Sequence, residues 1–146
     1  MNKEKKVIVF GTFDGFHKGH LDFLKQAKKT GKKLFIVVAR DKNVRKIKGR
    51  MPKFNEKYRL EEVKKQAKKI DGEVLLGSLK NPFVPIKKIE PDIIALGYDQ
   101  SSFSKGLENK FPKIKIIRLK PYKPDIYKSS IIKLKQSKKS VNHYFK

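Results

Sequence analysis

Four apolar residues, Val7-Ile8-Val9-Phe10, run without a polar break into Gly11-Thr12-Phe13-Asp14-Gly15-Phe16-His17-Lys18-Gly19-His20, and a helical pattern follows at once. A strand that enters a helix through a glycine-assisted turn is the first half of a parallel crossover unit, because parallel strands cannot be joined by a tight hairpin. Further runs of strand length follow at Leu34–Val38, Val74–Leu76, Ile93–Leu96 and Ile114–Ile117. Three of the five runs are continuous and β-branched, as strands covered on both faces tend to be.

Helical patterns fill the intervals. Leu21, Leu24 and Ala27 share a face of a helix that Gly31 ends. Leu60, Val63, Ala67 and Ile70 repeat at 3, 4 and 3, and Asp71-Gly72 stops that helix. Val84–Ile89 suggests a short third helix closed by Pro91, and a last one starts at Ser129-Ser130 with Ile131, Ile132 and Leu134. The expectation is an α/β fold: a Rossmann-like, open, five-stranded parallel sheet with helices on both faces, in a single domain. A chain of 146 residues fits one domain. In such sheets ligands sit beyond the carboxyl ends of the strands, which places residues 11–20, 40–50, 97–100 and 121–130 on one rim.

Composition narrows the chemistry. There is no cysteine, which excludes a disulfide framework, a thiolate zinc site and a Cys nucleophile. No apolar run reaches 18 residues, so no transmembrane helix is expected. The apolar stretch before Gly11 is too short for a secretory signal, and a cytoplasmic protein is expected. The 38 Lys and Arg against 14 Asp and Glu give a net charge of +24, which invites a nucleic-acid reading. Against it, Arg is the minor cation and Lys is spread along the chain, as on solvated helix faces.

The turn after the first strand leads into a helix N-terminus, where free N–H groups and the dipole favour an anion. His17 and His20 sit one turn apart there, and Gly19 leaves room for a phosphate to approach the backbone. Two other readings stand beside a phosphate role: zinc ligation, for which no third ligand is near in sequence, and packing. Asp14 either orients a histidine or binds a metal, or it caps backbone N–H groups of a turn. Lys48 and Arg50 fall in a polar loop, where solvated charges are the ordinary reading. Arg59 lies on a charged helix, where a surface pair with Glu62 or Glu56 is the ordinary one. Ser129 or Ser130 can serve as the N-cap of the last helix.

Gly11-x-Phe13-Asp14-x-x-His17-x-Gly19-His20 resembles the signature of the cytidylyltransferase-like nucleotidyltransferases, and its six fixed residues are far more specific than a lone GxGxxG. Further matches run from Val7 to about Lys135: Ala39-Arg40-Asp41, Val44 to Pro52, Leu96-Gly97-Tyr98-Asp99-Gln100, and Tyr127-Lys128-Ser129-Ser130-Ile131-Ile132. Together they are most similar to the small archaeal FAD synthetases and, more distantly, to glycerol-3-phosphate cytidylyltransferase. The resemblance implies a nucleotidyltransferase domain over 1–136, with a basic tail over 137–146. It implies transfer of AMP from ATP to FMN, giving FAD and pyrophosphate, with a divalent cation, Mg²⁺ by expectation.

It also implies catalytic roles for His17 and His20. Nucleotide binding would fall to Gly11, Thr12, Phe13, Asp14, His17, Gly19, His20, Gly97, Asp99, Tyr127, Ser129 and Ser130, and substrate phosphate to Lys48, Arg50 and Arg59. Two departures from the cytidylyltransferase pattern weaken a cytosine pocket. About ten residues separate Arg118 from Ser129, and Gly97-Tyr98-Asp99-Gln100 replaces Gly-Asp-Asp-Trp. The alternatives are a CTP-dependent enzyme acting on a small phosphorylated alcohol and, in another class, a basic nucleic-acid-binding protein on the same scaffold. Relatives commonly dimerise, so a homodimer is a further expectation.

Overall fold

The computed structural model describes residues 4–81, 83–97 and 106–121. Five strands, β1 (Lys6–Gly11), β2 (Lys33–Val38), β3 (Gly72–Leu76), β4 (Ile93–Leu96) and β5 (Lys115–Arg118), form one sheet in the order β3-β2-β1-β4-β5. All its pairings are parallel: Val7 lies opposite Leu34 on one side and Ile93 on the other. The described helices are α1 (Lys18–Thr30), α2 (Asp41–Lys48), α3 (Glu56–Lys68), α4 (Val84–Ile89) and α5 (Leu107–Lys110).

The period of two along each strand divides the core. Val7 and Val9 face a cluster completed by Leu24 and Ala27 of α1 and by Val63 and Ala67 of α3. Ile8, Val37, Ile94 and Leu96 face the opposite cluster with Ile86 of α4 and Leu107 of α5. The chain first adds β2 and β3 on one side of β1, then crosses back to add β4 and β5 on the other. The order therefore reverses at β1, and the crevice beyond its carboxyl end is where such a sheet binds ligands.

The five strands and three of the helices fall where the apolar pattern puts them, with small differences. His20 and Phe23 are buried on α1 beside Leu24 and Ala27, while Leu21 is only half-buried. Gly31 does end α1, but in extended conformation rather than as a left-handed cap. A side chain there would meet the Lys5 carbonyl at 2.9 Å.

The segment over 40–50, read from sequence as a polar loop, contains α2. Its single buried residue is Val44, while Ile47 is 75% exposed, so no apolar stripe announces it. Its ends hold it instead. Asp41 opens it, and Gly49 closes it at φ +81°, donating its N–H to the Arg45 carbonyl, a left-handed cap that favours glycine. No described helix is long and apolar enough to cross a membrane. The expected last helix and the tail lie outside the described residues.

Candidate active site

The turn after β1 is built on aromatic packing. Phe13 takes a left-handed φ of 54° and is fully buried, a costly conformation for a residue with a side chain. Its ring folds back over Gly11, where an added Cβ would lie 2.7 Å from two ring carbons. The same ring meets His20 edge-on at 5.3 Å, and Phe16 packs against His20 at 5.3 Å. Phe13 thus braces a histidine from behind.

His17 is the N-cap of α1, with extended backbone. Its Nδ1 accepts from the Gly19 N–H at 3.0 Å, and its own N–H donates to His20 Nδ1 at 3.2 Å. This is the reciprocal logic of a capping box, carried by two imidazoles. The His20 and Leu21 N–H groups both turn to the His17 carbonyl. The first turn therefore does not present these N–H groups, Gly19 included, to a phosphate, as the sequence suggested.

The imidazoles offer donors in their place. An Nδ1 that accepts is unprotonated, so in a neutral ring the proton resides on Nε2. Both Nε2 atoms are buried. Burial also holds the His17 pKa below its ordinary 6.5, consistent with a neutral ring. In the neutral form each ring therefore carries its proton on Nε2.

Beside them lies a cleft of about 520 Å³ whose walls include Asp14, Gly15 and His17 on one side and Lys48, Arg50 and Phe54 on the other. Lys48 and Arg50 are thereby brought to the histidine turn, as the sequence reading required. Asp14 serves as a cap, although not in its own turn. Its carboxylate accepts the N–H groups of Lys53 and Phe54 at 2.7 and 2.8 Å, which fixes the far wall to the near one.

Arg59 departs from expectation. It is 1% exposed, and neither a phosphate position nor a surface pair with Glu62 or Glu56 describes it. Its Nε donates to the Phe54 carbonyl, Nη1 to the carbonyls of Thr12 and Ala39, and Nη2 to Asp41 at 2.6 Å. The physical reason is valence: a buried guanidinium must find protein acceptors, and donors spent in this way do not reach a ligand.

A family model described as cytidylyltransferase-like matches residues 8–137. The chain belongs to the cytidylyltransferase-like family. It is similar to the FAD synthase of Methanohalophilus mahii, 44% identical over 123 residues that cover 80% of this chain and 83% of that protein. It is also similar to the FAD synthase of Thermococcus sibiricus, 43% identical over 140 residues, 90% of this chain and 93% of that one. Among solved structures, a lipopolysaccharide core biosynthesis protein from Thermoplasma volcanium matches with a TM-score of 0.70 at 35% identity, covering 82% of this chain and 99% of that one.

In this cytidylyltransferase-like chain Thr12 and Gly97 are buried at the ends of β1 and β4, and the Gly97 carbonyl accepts from Arg118 at 2.9 Å. Asp99, Tyr127, Ser129 and Ser130 lie outside the described residues. The roles of two acidic residues escaped the sequence reading. The Asp41 N–H donates to the Glu56 carboxylate at 2.8 Å, and the Glu56 N–H donates to the Asp41 carboxylate at 3.1 Å, so the heads of α2 and α3 cap each other. Arg40 also bonds to Glu56 and to the Gly77 carbonyl. An acidic residue in the first turn is a helix-start signal, and Asp41 with Gly49 could have revealed α2.

Proposed function

We propose that this chain transfers AMP from ATP to FMN, forming FAD and releasing pyrophosphate. One juxtaposition carries the reading: His17, stacked on the buried His20, lines a cleft that also holds Lys48 and Arg50. Its volume suits a cofactor-sized ligand. The FAD synthase relatives supply the identity of the acceptor and of the nucleotide.

A phosphate oxygen of FMN attacks the α-phosphorus of ATP in line. The new P–O bond forms as the bond from the α-phosphorus to the bridging oxygen breaks, and pyrophosphate leaves with the electron pair. No side chain need be covalently modified. The protein's contribution is position and charge stabilisation. His17 and His20 donate from Nε2–H to the oxygens on which charge grows, and they require no proton transfer to do so. Lys48 and Arg50 hold the acceptor phosphate. Gly11, Phe13 and Gly19 shape the histidine turn, and Asp14 ties it to the far wall. Thr12, Gly97, Asp99, Tyr127, Ser129 and Ser130 are assigned to the nucleotide.

A divalent cation, Mg²⁺ in this proposal, would supply charge neutralisation along the triphosphate when bound. Among the described residues no group of three His, Asp or Glu side chains is placed to hold a metal. Both Asp14 oxygens are already engaged by backbone N–H groups. The described residues therefore do not form a cation cage, and no step here relies on one.

The test is a two-by-two assay. FMN or glycerol 3-phosphate is incubated with ATP or CTP, and pyrophosphate is measured. Release with FMN and ATP alone is expected. Release only with CTP and glycerol 3-phosphate, or with no pair, would overturn the proposal.

A further inference from the structure

Arg59 heads the fully buried side chains by volume, and its four described acceptors come from three separate segments. Thr12 lies in the histidine turn, Ala39 at the end of β2, Asp41 at the head of α2 and Phe54 in the far wall of the cleft. Phe54 is held from both sides, its carbonyl by Arg59 and its N–H by Asp14. The α2 helix, anchored through Asp41, carries Lys48 at its other end. A single planar cation therefore spans the wall that holds the nucleotide and the wall that holds the acceptor.

We propose that Arg59 is a positioning residue of the transfer, which fixes the distance between the α-phosphorus and the attacking phosphate without touching either. The inference rests on the two-substrate reading above. In-line attack needs the reacting atoms about 3–3.5 Å apart, and an error of about 1 Å costs on the order of 100-fold. On that reading each substrate contacts mainly its own wall. Loosening the bridge then lowers kcat and leaves each binding event alone. A phosphate ligand would behave in the opposite way, with a raised KM for the substrate that it touches.

The experiment is Arg59→Lys, which keeps the charge but replaces a planar fork by a compact ammonium with three donors. The expected result is a fall in kcat of about 100-fold, with both KM values and the separately measured Kd values for ATP and FMN within threefold of wild type. A kcat within threefold of wild type overturns the proposal. So does a loss that resides in KM, or one that merely follows the unfolded fraction seen by circular dichroism at the assay temperature. Should Arg59→Lys fail to fold, Asp41→Asn retains an acceptor oxygen and removes the charge. It should lower kcat about tenfold at unchanged KM, and an unchanged kcat is again fatal. Wild-type controls separate the two claims. Turnover of glycerol 3-phosphate but not of FMN removes the acceptor assignment alone, and the Arg59 effect is then measured with that acceptor.

Discussion

The imidazole rings of His17 and His20 lie stacked, with centroids 3.8 Å apart and planes inclined by 23°. At that distance two cations would repel strongly, and neither ring could accept its backbone N–H once protonated. The pair is therefore matched to hydrogen-bond donation by neutral rings rather than to delivery of positive charge.

His17→Asn separates the two duties of that residue. Asparagine is a favoured N-cap, so the start of α1 should survive with its melting temperature nearly unchanged. The Nε2–H donor is lost, and kcat should fall about 10²–10³-fold, as for removal of an oxyanion-hole donor. His17→Ala should lose the same activity and, in addition, about 1 kcal/mol of stability. Thermal melts and pyrophosphate release measure the two effects, and an Asn variant with wild-type kcat would remove His17 from the chemistry.

The pH dependence follows from the lowered His17 pKa, whose cause is burial. Above pH 6.5 the folded and unfolded forms are both neutral at this residue, and its contribution to stability is complete. Below 6.5 the unfolded chain takes up a proton that the folded chain does not, so stability falls as pH falls through the window down to the folded pKa. Activity should stay level down to 6.5 and decline only at lower pH. His17→Asn should remove this residue's share of the acid slope, measured by denaturant titration at several pH values.

Gly11→Ala tests the aromatic brace. The new methyl would meet the Phe13 ring at 2.7 Å, and overpacking of this kind costs typically 1–3 kcal/mol. Because that ring supports His20, kcat should fall as well, even where the protein is fully folded. Gly77→Ala is the contrast, since its nearest neighbour stands 3.5 Å away. It should change stability by no more than about 0.5 kcal/mol.

Lys48→Ala and Arg50→Ala should each raise KM for FMN about tenfold, equivalent to about 1.4 kcal/mol, with KM for ATP within twofold. Arg50 is exposed and Lys48 half-buried, so the effect of each should shrink as salt is raised. Initial-rate kinetics at two ionic strengths would show this. A KM change confined to ATP would reverse the assignment of the two walls.

How much of this was legible in the sequence depended on how local the cause was. The strands were readable because residues such as Val7–Val9 must be apolar on both faces. The spacing of Leu60, Val63 and Ala67 revealed α3 for a similar reason. The histidine pair was legible as a motif, but its capping role was not, since that depends on which ring nitrogen faces which N–H. Nothing near Asp14 indicates that it accepts from residues 40 positions away. Arg59 shows the limit most clearly. Three of its four acceptors are at least 18 residues away, and none of those three leaves a trace in the sequence around it.

The mutual capping of α2 and α3 has an electrical consequence. A helix head is weakly positive and attracts anions, yet Asp41 and Glu56 already place carboxylates at two of the three longest described helices. The first turn of α1 holds no acidic residue, and its cap is an imidazole. The protein's own carboxylates, themselves paired with Arg40 and Arg59, thus occupy the heads of α2 and α3, whereas α1 is capped without any added negative charge.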